Sequence, residues 1–94
     1  MINLAGYSFD PNKACFVCGH VISGAPVFGV AHDDDGDLQF ACGEEAHTAA
    51  DWHLVCLEHL DLNGLGLAEM PTVDPGFAAE RVEIDAAWEV VSVD

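Results

Sequence analysis

Two pairs of soft ligands, Cys15-Phe16-Val17-Cys18 and His53-Leu54-Val55-Cys56, constrain this chain more than its hydrophobic pattern does. A Cys-x-x-Cys turn lets two thiolates reach one ion, and Gly19 permits the backbone to curl beneath them. His53 and Cys56 are three apart, so the first turn of a helix would present both on one face. The intervening stretch is long enough for a hairpin that brings the two pairs together. Cys15, Cys18, His53 and Cys56 are therefore expected to hold one ion, and three thiolates with one imidazole select zinc over harder metals. With all four coordination positions filled, such a site is structural.

A metal staple answers a need set by size and charge. A chain of 94 residues makes one domain, and at that length folding buries only about two-thirds of the surface that the unfolded chain exposes. Hydrophobic residues make up 51% and mean hydropathy is +0.24, so the chain is expected to fold despite its acidity. Seventeen acidic and two basic side chains give a formal charge of -15, and self-repulsion at that charge costs stability. Phosphate backbones and anionic membranes are bound through lysine and arginine, and only Lys13 and Arg81 are present. The expected partner is a basic protein, with no direct binding of nucleic acid or membrane. Met1-Ile2-Asn3-Leu4 begins with no basic region followed by an apolar run, and no stretch has transmembrane length. Reduced cysteines and a cytoplasmic location are expected on that basis.

The order of local signals indicates a small α+β domain spanning residues 1–94. Ile2 to Phe9 is a short apolar segment whose Leu4 can pack on the core, and Asp10-Pro11-Asn12 is a turn. After the cysteine knuckle, Ser23 to Pro26 turns the chain. Two β-prone runs, Val27 to His32 and Leu38 to Cys42, flank an Asp-Gly pair that predicts a hairpin. Asp51 can cap a helix from Trp52 to about Leu62, with Leu54, Leu57 and Leu60 along one face and Asn63-Gly64 at its end. The metal finger thus covers about 13–62, and an irregular connector covers 63–80. In the C-terminal segment, 81–93, Val82, Ile84, Ala86, Trp88 and Val90 alternate with polar positions, which favours a strand. A helix remains an alternative there, since Ile84, Trp88 and Val91 also fall four and three apart. Trp88 reads as core.

Knuckle, hairpin and ligand-bearing helix, in that order, resemble a treble-clef zinc finger. Cys15-x-x-Cys18 with Trp52-His53-x-x-Cys56 resembles the first zinc-binding half of a LIM domain. The resemblance covers residues 15 to 56 and implies that the four ligands named above carry the metal, with Trp52 packed beside it. A second LIM finger is not expected, because His59 stands at the first of its ligand places but Leu62 occupies the next. The family's habit of binding proteins is what the resemblance implies for function.

Cys42, His47 and His59 are rivals that can replace a ligand or form part of a second site. Cys42 also reads as a small buried residue at a strand end, and His20 and His32 read as surface residues. Asp33, Asp34, Asp35 and Asp37 lie at the hairpin tip. A calcium loop requires acids at alternating positions, starting with an acid where this chain has Ala31, and a distal glutamate, so these four read either as a solvated turn or as an acidic prong for a basic partner. A Cys42–His47 or Glu44–Glu45 pairing would be needed for a hydrolase or redox enzyme, and sequence neighbours establish no catalytic geometry. The expected function is therefore a non-catalytic, zinc-stabilised interaction or regulatory module. An acidic inhibitor that imitates nucleic acid is the alternative.

Overall fold

The computed structural model describes residues 1–42, 51–61, 64, 67, 70–83 and 86–92. Strand β1, Ile2–Leu4, pairs antiparallel with β2, Tyr7–Phe9, as a separate two-stranded sheet. Ala5 and Gly6 make its turn with φ of 55° and 83°. Positive φ at both central residues gives the turn a twist that suits a tight hairpin. A Cβ on Gly6 would overlap the Thr72 side chain, so the glycine also permits a close approach.

The main sheet is built from β3, Ala14–Cys18; β4, Gly29–His32; β5, Leu38–Ala41; β6, Trp52–Cys56; β7, Phe77–Glu80; and β8, Glu89–Ser92. Their order in space is β6-β3-β5-β4-β7-β8. β3 and β5 run parallel and every other neighbouring pair is antiparallel. A parallel pair needs a crossover, here supplied by the short helix α1, Gly19–Ile22, followed by β4. Alternation decides which face is covered: Cys15 and Val17 of β3, Val30 of β4, and Leu38 and Phe40 of β5 are all buried. Leu67, Met70 and Val73 from the connector join the same core. Among the described residues the domain is thus α+β, mostly strand, with one short α-helix.

The expected hairpin from Val27 to Cys42 is present as β4 and β5, with Val30 opposite Phe40 and His32 opposite Leu38. Asp10-Pro11-Asn12 turns as expected, the Lys13 N–H donating to the Asp10 carbonyl at 2.9 Å. Leu4 is buried in the core.

The helix expected from Trp52 to about Leu62 is instead strand β6 followed by a 3-10 turn, Leu57–His59. The free edge of β3 offers five consecutive partners, from Ala14 opposite Cys56 to Cys18 opposite Trp52. Pairing of that length outweighs a helical leucine spacing, and the leucines separate: Leu54 is 66% exposed while Leu57 is fully buried. The 3-10 turn is tied down where Leu57 N–H donates to the Lys13 carbonyl at 2.8 Å.

The C-terminal region also differs from expectation. Strand β7 forms inside the connector, because the outer edge of β4 accepts Phe77 to Glu80. The strand expected over 81–93 is confined, among the described residues, to Glu89–Ser92, which pairs back on β7. Arg81 to Glu83 and Ala86 to Trp88 are outside any strand. Trp88 is half-buried against the core, and the Arg81 guanidinium stands 4.4 Å from its ring. Of the two histidines expected on the surface, His20 is exposed, but His32 is only 3% exposed. Its Nδ1–H donates to the Val73 carbonyl at 2.7 Å, and Tyr7 and Phe9 meet its ring edge-on. Burial is tolerable because that polar atom has a partner.

Candidate metal centre

Parallel pairing makes β3 and β5 finish at the same edge of the sheet, after the register Cys15–Leu38, Phe16–Gln39, Val17–Phe40. Cys18 is the last residue of β3, His20 lies in α1 immediately beyond it, and Cys42 follows the end of β5. One ligand atom from each of Cys18, His20 and Cys42 lies within 4.8 Å of the other two. Cys18 is fully buried, Cys42 is 8% exposed, and His20 is open to solvent. Donors around a tetrahedral zinc stand about 3.4 to 3.8 Å apart, from Zn–S and Zn–N lengths of about 2.3 and 2.0 Å. Side-chain adjustments of about 1 Å would therefore bring these three into coordinating range. Two thiolates and an imidazole form a soft donor set that suits zinc. No disulfide ties up either cysteine.

Strand geometry distributes the four sequence-expected ligands differently. Cys15 and Cys18 are three apart on a strand, so they face opposite sides of the sheet. Cys15 stands opposite Val55 and Val17 opposite His53, whereas Cys56 stands opposite Ala14 and Cys18 opposite Trp52. Cys15 thus shares a face with His53, and Cys18 with Cys56. Among the described residues, no three of these four gather within 4.8 Å, and Cys18 alone belongs to the group with His20 and Cys42. The His53 ring lies over Gly19, with Nε2 3.6 Å from where a Cβ on that glycine would stand.

Cys15 sits against the core, its Sγ donating to the Lys13 carbonyl at 3.6 Å. Burial pushes its thiol up to about 11, the Lys13 charge pulls it down, and Cys56 and Asp37 push it up. The proximity of Lys13 favours the Cys15 thiolate, but desolvation outweighs it.

His59 is exposed and lies 3.7 Å from Glu58. His47, Glu44 and Glu45 fall outside the described residues. Cys42 is the small buried residue that its strand-end position suggested, and its Sγ falls in the group with Cys18 and His20. His20 is the member that sequence reasoning passed over. The signal was local: a histidine two residues beyond Cys18, in Cys-x-x-Cys-Gly-His.

The acidic residues form an ordered tip between β4 and β5. Asp33 N–H donates to the Asp37 carbonyl at 2.8 Å, Asp37 N–H to Asp35 Oδ1 at 3.1 Å, and Gln39 Nε2 to Asp33 Oδ2 at 2.8 Å. Gly36 has φ of 93°, which a turn of this kind requires. Asp34 and Asp35 are exposed, and Lys13 approaches Asp37 at 3.9 Å. Carboxylate oxygens of Asp33, Asp35 and Asp37 lie within 4.8 Å of one another. No helix among the described residues is long and apolar enough to cross a membrane.

No protein-family model, curated protein or solved structure matches the chain. The functional reading rests on the chemistry of its own residues.

Proposed function

We propose that this chain is a non-catalytic, zinc-stabilised protein-interaction module with a strongly acidic surface, its metal held by Cys18, His20 and Cys42. The observation that carries the reading is the convergence of two buried thiols and one imidazole at the shared end of β3 and β5. A metal there would staple the crossover between the parallel strands β3 and β5. Its contribution would be large for a core of this size, since structural zinc binding is worth about 10 kcal/mol or more in small domains. This reading keeps a metal from the treble-clef and LIM resemblances but not their Cys-x-x-Cys knuckle or ligand-bearing helix, since Ala14–Cys18 and Trp52–Cys56 are both strands. A formal charge of -15 supports a basic protein as partner.

A second reading, the acidic imitation of nucleic acid, is supported by the ordered cluster of Asp33, Asp35 and Asp37. It would use the same charge to occupy a site built for phosphates.

Native mass spectrometry of the purified chain tests the metal assignment. One zinc per chain is expected in the wild type and in Cys56→Ser, with loss in Cys18→Ser and Cys42→Ser. Retention in Cys42→Ser together with loss in Cys15→Ser and Cys56→Ser would instead return the metal to Cys15, Cys18, His53 and Cys56.

A further inference from the structure

We propose that Cys18 and Cys42 form a redox pair, which a hydroperoxide oxidises to a disulfide bridging the ends of β3 and β5. The pair itself stands on thiol geometry, and the release of zinc on oxidation rests on the metal reading above. All four cysteines of the chain lie within the described residues, and all four are free thiols. The Sγ atoms of Cys18 and Cys42 lie within 4.8 Å of each other. A disulfide needs an S–S length of about 2.05 Å, and moving one sulfur between staggered χ1 positions carries it roughly 3 Å, enough to close the gap. The backbone is also suitably placed, because the register Val17–Phe40 sets Cys18 and Cys42 on neighbouring chains with an offset of one residue. Strands about 4.8 Å apart with a rise of about 3.3 Å per residue then put the two Cα atoms about 5.8 Å apart, inside the range of about 4.4 to 6.8 Å that a disulfide spans. Neither other cysteine competes for this bond. Cys15 faces the opposite side of the sheet, and Cys56 stands opposite Ala14, at the far end of β3 from Cys18.

Exposure orders the two steps. Cys42 is 8% exposed and Cys18 is fully buried, so hydrogen peroxide meets the Cys42 sulfur first. That sulfur attacks one peroxide oxygen and the O–O bond breaks. The attacked oxygen stays on sulfur as a sulfenic acid, and the other leaves as water. The Cys18 sulfur then attacks the Cys42 sulfur; the S–S bond forms, and the S–O bond breaks with release of a second water. Two thiols thus give two electrons and two protons to one peroxide. From the zinc-bound form the two thiolates supply the electrons and solvent supplies the protons. Both sulfurs lose their negative charge, so zinc keeps His20 alone of the three donors and leaves. The ends of β3 and β5 stay joined, first by the metal and then by the bond, and oxidation therefore changes metal content while preserving the fold.

The test treats the full, zinc-loaded chain with hydrogen peroxide, follows released zinc with a chromogenic chelator, and maps disulfides by mass spectrometry without reduction. Chymotryptic cleavage after Phe16, Phe40 and Trp52 puts Cys15, Cys18, Cys42 and Cys56 on separate peptides. The expected product is a linked Cys18–Cys42 peptide pair, with zinc released in step with it and both changes reversed by dithiothreitol and fresh zinc. Cys15→Ala and Cys56→Ser should give the same linkage, and Cys42→Ala should give none. Linkage through Cys15 or Cys56, a disulfide between two chains, or sulfinic acid at Cys42 in place of the bond would each overturn the redox pair and leave the metal reading standing. A Cys18–Cys42 disulfide that forms while zinc is retained, or in a chain that binds none, would support the pair and overturn the metal reading instead.

Discussion

Replacing Arg81 with alanine should cost this domain about 3 to 4 kcal/mol. The side chain is buried, and its Nε–H and Nη2–H both donate to the Val27 carbonyl, at 3.0 and 2.8 Å. Hydrogen bonds from a charged donor contribute about 1.5 to 3 kcal/mol. Because both N–H groups share one acceptor, that term counts once. The guanidinium also lies 4.4 Å from the Trp88 ring and 5.8 Å from Phe28, and a desolvated cation–π contact adds about 1 to 2 kcal/mol. The backbone bond from Arg81 N–H to the Phe28 carbonyl, at 3.0 Å, should persist in the variant. Arg81→Lys keeps the charge but loses the planar fork, so a loss of about 1 to 2 kcal/mol is expected. Urea unfolding at saturating zinc would measure both variants, with the midpoint shift read at an unchanged slope. A double-mutant cycle with Trp88→Leu should isolate a coupling of about 1 kcal/mol. If Arg81→Ala unfolds within about 0.5 kcal/mol of the wild type, the clamp between Val27 and Trp88 contributes no more than an ordinary surface residue. Since Phe28 and Val82 flank this clamp, its loss should also loosen the hollow beside Cys42.

Cys15 makes stability depend on alkaline pH. Its thiol is held up to about 11, chiefly by burial, against an ordinary value of 9.0; the stabilising contribution is therefore complete below pH 9 and is lost as pH rises through 11. The unfolding free energy should fall by about 2 to 3 kcal/mol across that interval, and Cys15→Ala should lack this part of the slope in urea titrations. Equal slopes for the two proteins would refute the assignment. Replacement of Asp33, Asp34, Asp35 and Asp37 by asparagine should slow association with a lysine-rich peptide several-fold at low salt, with the difference shrinking as the Debye length falls below about 8 Å. Zinc content and melting should stay close to wild type, since a partly exposed pair as long as Lys13–Asp37, at 3.9 Å, contributes little. Stopped-flow rates that match the wild type at every salt concentration would reduce the acidic tip to a solvated turn.

Short-range chemistry was legible in the sequence. An Asp-Gly pair between two β-prone runs specified the β4–β5 hairpin, because turn geometry is set by the residues within it. Asp10-Pro11-Asn12 specified its turn for the same reason, and seventeen acids against two bases defined the character of the surface. The paired cysteines drew attention to Cys18 but did not name His20 and Cys42, whose ligand atoms meet it. Long-range pairing decided the rest. Leu54, Leu57 and Leu60 have a helical spacing, yet Trp52–Cys56 becomes a strand because β3 presents a free edge. Phe77–Glu80 reads as part of an irregular connector, yet is recruited by β4. His32 is drawn inside because Val73 supplies its Nδ1–H with an acceptor and the β1–β2 hairpin closes over its ring. Cys42 reaches Cys18 and His20 only because β3 and β5 run parallel and end together. Local propensity could not reveal that meeting, since the relative direction of two strands is determined by the crossover between them and by the core they jointly bury.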